Sequence, residues 1–157
     1  MSATEILMRS GVPDGMILRQ HRDGLTPALV KTLRTMQMVA ENEGVVDRDA
    51  FHIDGDEIAF TLSQSQQDGL MVAAATCYQM TDGGLLLQFL YVDPLVRRRG
   101  CAMCLWQCAL ALAGVMQCTH LSSISKPDNR PMAALYAKVG APVTAHIHQI
   151  DVKGSPT

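Results

Sequence analysis

Residues 92–102 read VDPLVRRRGCA, and these residue types suit the binding of phosphate. Arg97, Arg98 and Arg99 supply three adjacent cations, Gly100 lets an anion come close to the backbone, and an almost wholly apolar segment starts at Cys101. The first N–H groups of a helix lack intrahelical partners and carry the positive end of its dipole. An anion at such an entry accepts several hydrogen bonds at once. A phosphate or pyrophosphate cradle is therefore one reading of residues 97–102, and a solvated basic turn is the other. A nucleic-acid patch fits less well, because three arginines without further basic clusters make a poor footprint.

Cysteine is the second residue type with chemistry to offer. Cys101, Cys104 and Cys108 fall at i, i+3 and i+7, on one face of a helix. Three thiolates are one short of a tetrahedral site, though Cys77, Cys118 or a histidine could complete it. In so apolar a segment they read as small core residues, and no metal is expected. At the helix start, Cys101 is expected to have a lowered pKa.

The elements that must position these residues follow from periodicity and turn chemistry. GMILRQHRDG (15–24) reads as a first strand. TPALVKTLRTMQMVAENEG reads as a helix capped by Thr26, with Pro27 at its first position, Gly44 at its stop, and an apolar stripe of Leu29, Val30, Leu33, Met36, Val39 and Ala40. A polar connector with a short helix, DRDAFHIDGD, leads to a strand over Glu57–Ser63. GLMVAAATCYQM and GLLLQFLYVDP are apolar strands joined at TDGG, and their near-continuous hydrophobicity implies a sheet covered on both faces. The helix after Gly100, a strand in CTHLSSIS, a helix in PMAALYAKVG with Gly140 as its cap, and a last strand in APVTAHIHQIDV complete the order. This describes one α/β domain with a mixed sheet.

Two of these segments carry a family resemblance. LYVDPLVRRRGCA resembles the acetyl-CoA-binding motif of the GCN5-related N-acetyltransferase (GNAT) family. There a strand is followed by Arg or Gln, two residues, Gly, one residue, and Gly or Ala; Arg97, Gly100 and Ala102 fill those places. NRPMAALYAKVGA is similar to that family's later segment, in which Asn precedes Tyr by seven residues on a helix ending in Gly; Asn129, Tyr136 and Gly140 fit. The resemblance covers most of the chain. It implies a GNAT-like α/β fold with a mixed central sheet flanked by helices on both faces. Residues 1–157 would form one acyl-CoA N-acyltransferase domain, with 1–14 and 153–157 as loose termini.

The resemblance also implies roles. Backbone amides from Arg98 through Gly100 and Cys101 to Ala102 would hold the pyrophosphate of coenzyme A (CoA), with the Arg97, Arg98 and Arg99 side chains in support. The backbone of Leu90, Tyr91 and Val92 would pair with the pantetheine arm as a further strand, and Asn129 would hydrogen-bond the same arm. Tyr136 would protonate the leaving thiolate. The reaction would be direct attack of a primary amine on the thioester of acetyl-CoA or another acyl-CoA, helped by positioning, oxyanion support and proton transfer. Each role has a plainer rival: Tyr136 is spaced with Met132 and Val139 as a core ring would be, and Asn129 can cap the following helix.

The sequence departs from the family pattern in two places. Family members often carry a carboxylate in the strand before the cradle, where GLLLQFLYV has Gln88 and no acid. The general base would then be His52, Glu57, His146, His148 or water; His146 and His148 are two apart in a strand and share a face. Ala141 stands where relatives commonly have an aromatic residue. A non-catalytic CoA-binding, structural or partner-binding protein of the same fold is the alternative these departures favour.

Composition bounds the rest. A net charge of -2 argues against broad nucleic-acid binding or capture by anionic membranes, and leans toward a neutral or cationic small amine, with a protein amine as the other acceptor. The start of the sequence lacks a basic segment followed by an apolar run, and the apolar stretch over 101–116 is short for a membrane span. Five cysteines, an odd number, point to a reducing interior such as the cytoplasm. The last strand offers an edge for pairing in a homodimer.

Overall fold

The computed structural model describes residues 11–48, 50–66, 69–123 and 129–139. The expected last strand, Gly140, Ala141, His146, His148 and most of the two termini lie outside the described residues. Among the described residues, five strands form one sheet in the order β1 (Met16–His21), β2 (Ile58–Gln64), β3 (Met71–Gln79), β4 (Leu85–Val92), β5 (Leu121–Ser123). The pairs β1–β2, β2–β3 and β3–β4 are antiparallel, and β4–β5 is parallel. The described residues also form three α-helices: α1 (Pro27–Glu43), α2 (Cys101–Val115) and α3 (Arg130–Val139).

Alternation along the strands divides the core between two faces. Phe60, Leu62, Ala73, Ala75, Cys77, Leu85 and Leu87 pack against Leu105, Cys108 and Leu112 of α2 and Met132 and Leu135 of α3. On the other face Ala59 and Ala74 meet Leu33 of α1, while Phe89 and Tyr91 meet Ala40. The mixed sheet with helices on both faces is thus present, and the unbroken hydrophobicity of β3 and β4 follows from burial on both sides.

α1 begins as its sequence dictates: the Thr26 side chain accepts a bond from the Leu29 N–H at 3.2 Å, Pro27 takes the first helical position, and Gly44 ends the helix at φ 78°. Thr26→Ala is expected to cost about 1 kcal/mol, a fall of roughly 2–4 °C in melting temperature. An unchanged melting temperature would show that the cap bond contributes nothing.

The apolar stripe of α1 needs correction. Val39 is 44% exposed, while Gln37 is buried between Leu33 and Ala40. Gln37 tolerates that place because its Nε2 donates to the Phe51 carbonyl at 3.0 Å. The connector from 47 to 56 contains no helix among its described residues; Ile53 is instead fully buried from an irregular segment. A 3₁₀ turn over Pro94–Val96, which periodicity did not suggest, links β4 to the arginines.

Candidate active site

The site begins past the last described pair of β4 and β5. β4 pairs with β3 along its length but with β5 only from Leu85 to Leu87, opposite Leu121 to Ser123. Beyond that point no strand lies beside the outer edge of β4 among the described residues. A bulge opposite Thr76 and Cys77 leaves Gln88 as the extra residue of β4. Gln88 is 7% exposed and its Nε2 has no hydrogen-bond partner among the described residues.

The backbone of β4 after the bulge has a definite polarity. The Asp93 N–H bonds to the Val72 carbonyl at 2.8 Å, which makes Ala73 and Val92 a pair that exchanges no hydrogen bonds. Tyr91 and Ala74 are then the bonded pair, so the N–H and C=O of Tyr91 turn toward β3. Those of Leu90 and Val92 turn to the open edge. The Val92 carbonyl there accepts from Arg97 Nε at 2.9 Å. The Leu90 N–H and C=O and the Val92 N–H are left facing outward, a pattern that an extended ligand with alternating amide groups could match.

The arginine turn has left-handed geometry at two places. Arg98 has φ 67° and Gly100 has φ 86°, and α2 starts immediately afterwards. The first helical bond runs from the Cys104 N–H to the Gly100 carbonyl at 2.9 Å, so the preceding N–H groups have no helical partner. Among the described residues no side chain caps this end, and no acid lies in the first turn. Fifteen residues of helix therefore present an uncapped positive end beside Arg98. Apart from its chain neighbours, a Cβ added at Gly100 would meet nothing of the described residues within 4 Å.

A cleft of about 660 Å³ joins these features. Leu90, Tyr91, Val92, Arg97, Arg98, Gly100, Cys101, Ala102 and Met103 form one wall. Asn129, Arg130, Pro131, Met132 and Ala134 from the start of α3 form the other, with Val45 between. Arg99 and Tyr136 are not among the lining residues. Asn129 caps α3, accepting from the Met132 N–H at 3.3 Å, and also donates through Nδ2 to the Val45 carbonyl at 3.3 Å.

Tyr136 is 8% exposed, set edge-on to Trp106 with ring centroids 5.5 Å apart. Its hydroxyl donates to Oγ of Ser123, the last residue of β5. Arg97 is occupied too: one terminal nitrogen donates to Glu43 Oε2 at 2.8 Å, and its guanidinium lies 5.5 Å from the Tyr91 ring centre. Tyr91 OH donates to Glu43 Oε1. Burial and the Glu43 carboxylate both push the Tyr91 phenol up, so it stays a neutral donor. The Tyr91 and Arg97 hydrogen bonds, together with the Arg97 charge, outweigh burial at Glu43 and hold its carboxyl below the usual range.

The base candidates that fall on described residues are engaged away from the cleft. Glu57 is 4% exposed and accepts from the Asp54 and Gly55 N–H groups at 3.1 and 2.9 Å, which makes it a turn support. His52 Nε2 bonds with Arg34 at 2.9 Å. Cys101 corrects another expectation: burial raises its thiol pKa, with the neighbouring Cys104 adding to the rise and Arg99 opposing it. Cys101, Cys104 and Cys108 are buried, as core packing requires. Among the described residues no three His, Cys, Asp or Glu side chains are grouped to hold a metal ion.

Sequence reasoning missed Val45, Met103, the residues after Asn129, and Glu43. One signal was available, since Glu43 puts an acid at a helix C-terminus, where the dipole favours a base.

Known proteins with this arrangement can be set beside it. Residues 27–141 match the model of the acetyltransferase (GNAT) family. A search of curated proteins finds no match. Among solved structures, aminoglycoside N-acetyltransferase AAC(6')-Iy in complex with CoA superposes with a TM-score of 0.57 at 18% identity, over 82% of this chain and 89% of that one. Ribosomal-protein-alanine N-acetyltransferase from Brucella melitensis biovar Abortus 2308 gives 0.58 at 14% identity, over 82% and 93%. N-acetylglutamate synthase from Neisseria gonorrhoeae, complexed with CoA and N-acetyl-glutamate, gives 0.58 at 14% identity, over 75% of this chain and 27% of that one. With well over half of its length matched to one family model and its sheet, helices and cleft arranged as described, the chain belongs to the acetyltransferase (GNAT) family.

Proposed function

We propose that the chain transfers an acetyl or other acyl group from its CoA thioester to a primary amine. One observation carries this reading: among the described residues, the unpaired edge at Leu90 and Val92 runs directly into the uncapped start of α2, inside one cleft. Acyl-CoA has a matching order of groups, an amide-bearing arm followed by a pyrophosphate. The arm would add to β4 as a strand through Leu90 and the Val92 N–H, with Asn129 on its far side. The N–H groups around Gly100, Cys101 and Ala102 would take the pyrophosphate, with the Arg98 and Arg99 side chains adding charge.

In the proposed reaction the amine nitrogen bonds to the thioester carbonyl carbon, and the C–S bond breaks. The leaving thiolate takes a proton from Tyr136, and the proton lost by the amine passes to water. The chain's contribution is placement, a strand N–H for the oxyanion, and the proton at sulfur. Gln88 cannot act as a base, and Glu57 and His52 are held elsewhere, so water is the acceptor that the described residues leave.

Acceptor class follows by analogy. The solved neighbours include enzymes named for aminoglycosides and for the alanine of a ribosomal protein, both amines. The charge of -2 favours a small neutral or cationic amine over a nucleic acid. Among the described residues no helix is long and apolar enough to cross a membrane. All five cysteines are free thiols, with Cys77 pushed up to about 12 by burial, and we place the protein in a reducing interior such as the cytoplasm.

A second reading, a non-catalytic acyl-CoA-binding protein, is favoured by Gln88 and by the engaged base candidates. Incubation with acetyl-CoA and a panel of primary amines, followed by free-thiol release, separates the two. Amine-dependent release is the expected result. Acetyl-CoA binding without release would support the second reading, and the absence of both would overturn each.

A further inference from the structure

We infer that Glu43 is a positioning residue for the cleft, holding its two walls in register from the end of α1; this rests on the reading of that cleft as the acyl-CoA site. Glu43 is the last residue of α1, where the helix dipole disfavours an acid. Its two carboxylate oxygens are divided between partners on the β4 side: Tyr91 OH donates to Oε1, and Arg97 donates to Oε2 at 2.8 Å. Arg97 in turn fixes the Val92 carbonyl through Nε at 2.9 Å. Two residues beyond Glu43, across the left-handed Gly44, the Val45 carbonyl receives Asn129 Nδ2 from the start of α3. Three consecutive residues, 43 to 45, thus tie the arginine turn to the opposite wall.

This arrangement assigns Arg97 a different part from Arg98. The charge of Arg97 is matched by Glu43, and its guanidinium shapes the turn and withdraws the Val92 carbonyl from the open edge. Arg98 carries no ion pair among the described residues and lines the cleft. The Arg97–Glu43 pair is partly exposed, at 38% and 26% of the two side chains, and such pairs contribute little to stability. Its loss should therefore appear in ligand affinity far more than in folding.

The test is calorimetric titration of acetyl-CoA into wild type, Glu43→Gln, Arg97→Gln and the double variant, with melting temperatures alongside. Glu43→Gln is expected to weaken binding about tenfold, the equivalent of one charge-assisted contact, with its melting temperature close to wild type. The double variant should be no weaker than the worse single variant, since both act through one pair. Arg97→Lys keeps the charge near Glu43 but loses the Nε–H bond to Val92, and is expected to weaken binding as well. It serves as the reporter should Glu43→Gln not fold. Equal affinity of wild type and these variants would overturn the inference while leaving the acyl-CoA reading standing. Wild type that binds no acetyl-CoA would overturn the reading and the inference with it.

Discussion

Gly100→Trp is expected to abolish the thermal stabilisation that acetyl-CoA gives the wild-type chain. At a hundredfold excess over its dissociation constant, a ligand that binds only the folded state adds about 2.7 kcal/mol. For a chain of this size that is a rise of roughly 5–10 °C. Gly100 lines the cleft, and apart from its chain neighbours no atom of the described residues lies within 4 Å of a Cβ built on it. An indole at this position would extend into open space directly in front of the first N–H groups of α2, where the pyrophosphate is proposed to sit. Steric room does not make the change free, because φ at Gly100 is 86°, a conformation that costs any other residue about 1–2 kcal/mol. Gly100→Ala is the control: it carries the same strain while leaving most of the cradle open. A ligand response kept in the alanine variant and lost in the tryptophan variant would locate acetyl-CoA at the turn. Responses kept in both would move the anion site away from α2, and a response missing from wild type would remove acetyl-CoA from the account.

The local parts of this site were legible in the sequence, and the long-range parts were not. Thr26, Pro27 and Gly44 announce α1 through capping chemistry confined to a few residues. The run from Val92 to Ala102 shows strand, turn and helix start for the same reason. Glu43, however, meets Tyr91 and Arg97 across 48 and 54 residues, and no periodicity records such a contact. The backbone of β4 illustrates another gap. Which of Leu90, Tyr91 and Val92 faces the open edge depends on the pairing register past the bulge at Gln88, and one extra residue reverses the alternation. The N–H and C=O of Tyr91 turn to β3, while those of Leu90 and Val92 turn outward. Cys101 fails for a related reason: its place at a helix start is local, but the burial that decides its pKa is not.

Tyr136→Phe is expected to lower turnover at saturating acetyl-CoA about a hundredfold, the lower end of what a positioned proton donor contributes, while leaving acetyl-CoA affinity within about twofold. The geometry supports this through Ser123, which receives the Tyr136 hydroxyl. Ser123 pairs with Leu87 in the last described step of the β4–β5 ladder, so the hydroxyl lies at that end of the ladder. An arm paired along Leu90 and the Val92 N–H, with its pyrophosphate at Gly100, would bring its sulfur toward that same end of the ladder. The competing role makes the opposite forecast. Tyr136 is packed edge-on against Trp106 within the α2 and α3 core and does not line the cleft, so it would serve packing alone. Phenylalanine would preserve the ring contact and remove one hydrogen bond, costing about 1 kcal/mol of stability and no turnover. Ser123→Ala sharpens the comparison, since it removes the acceptor but keeps the phenol. A rate that falls with Tyr136→Phe and survives Ser123→Ala would show that the phenol itself delivers the proton. A fall with both would show that Ser123 must hold the phenol in place for it to deliver the proton. An unchanged rate in Tyr136→Phe, together with the small loss of stability, would assign Tyr136 to the core, and the thiolate would then take its proton from water in the cleft.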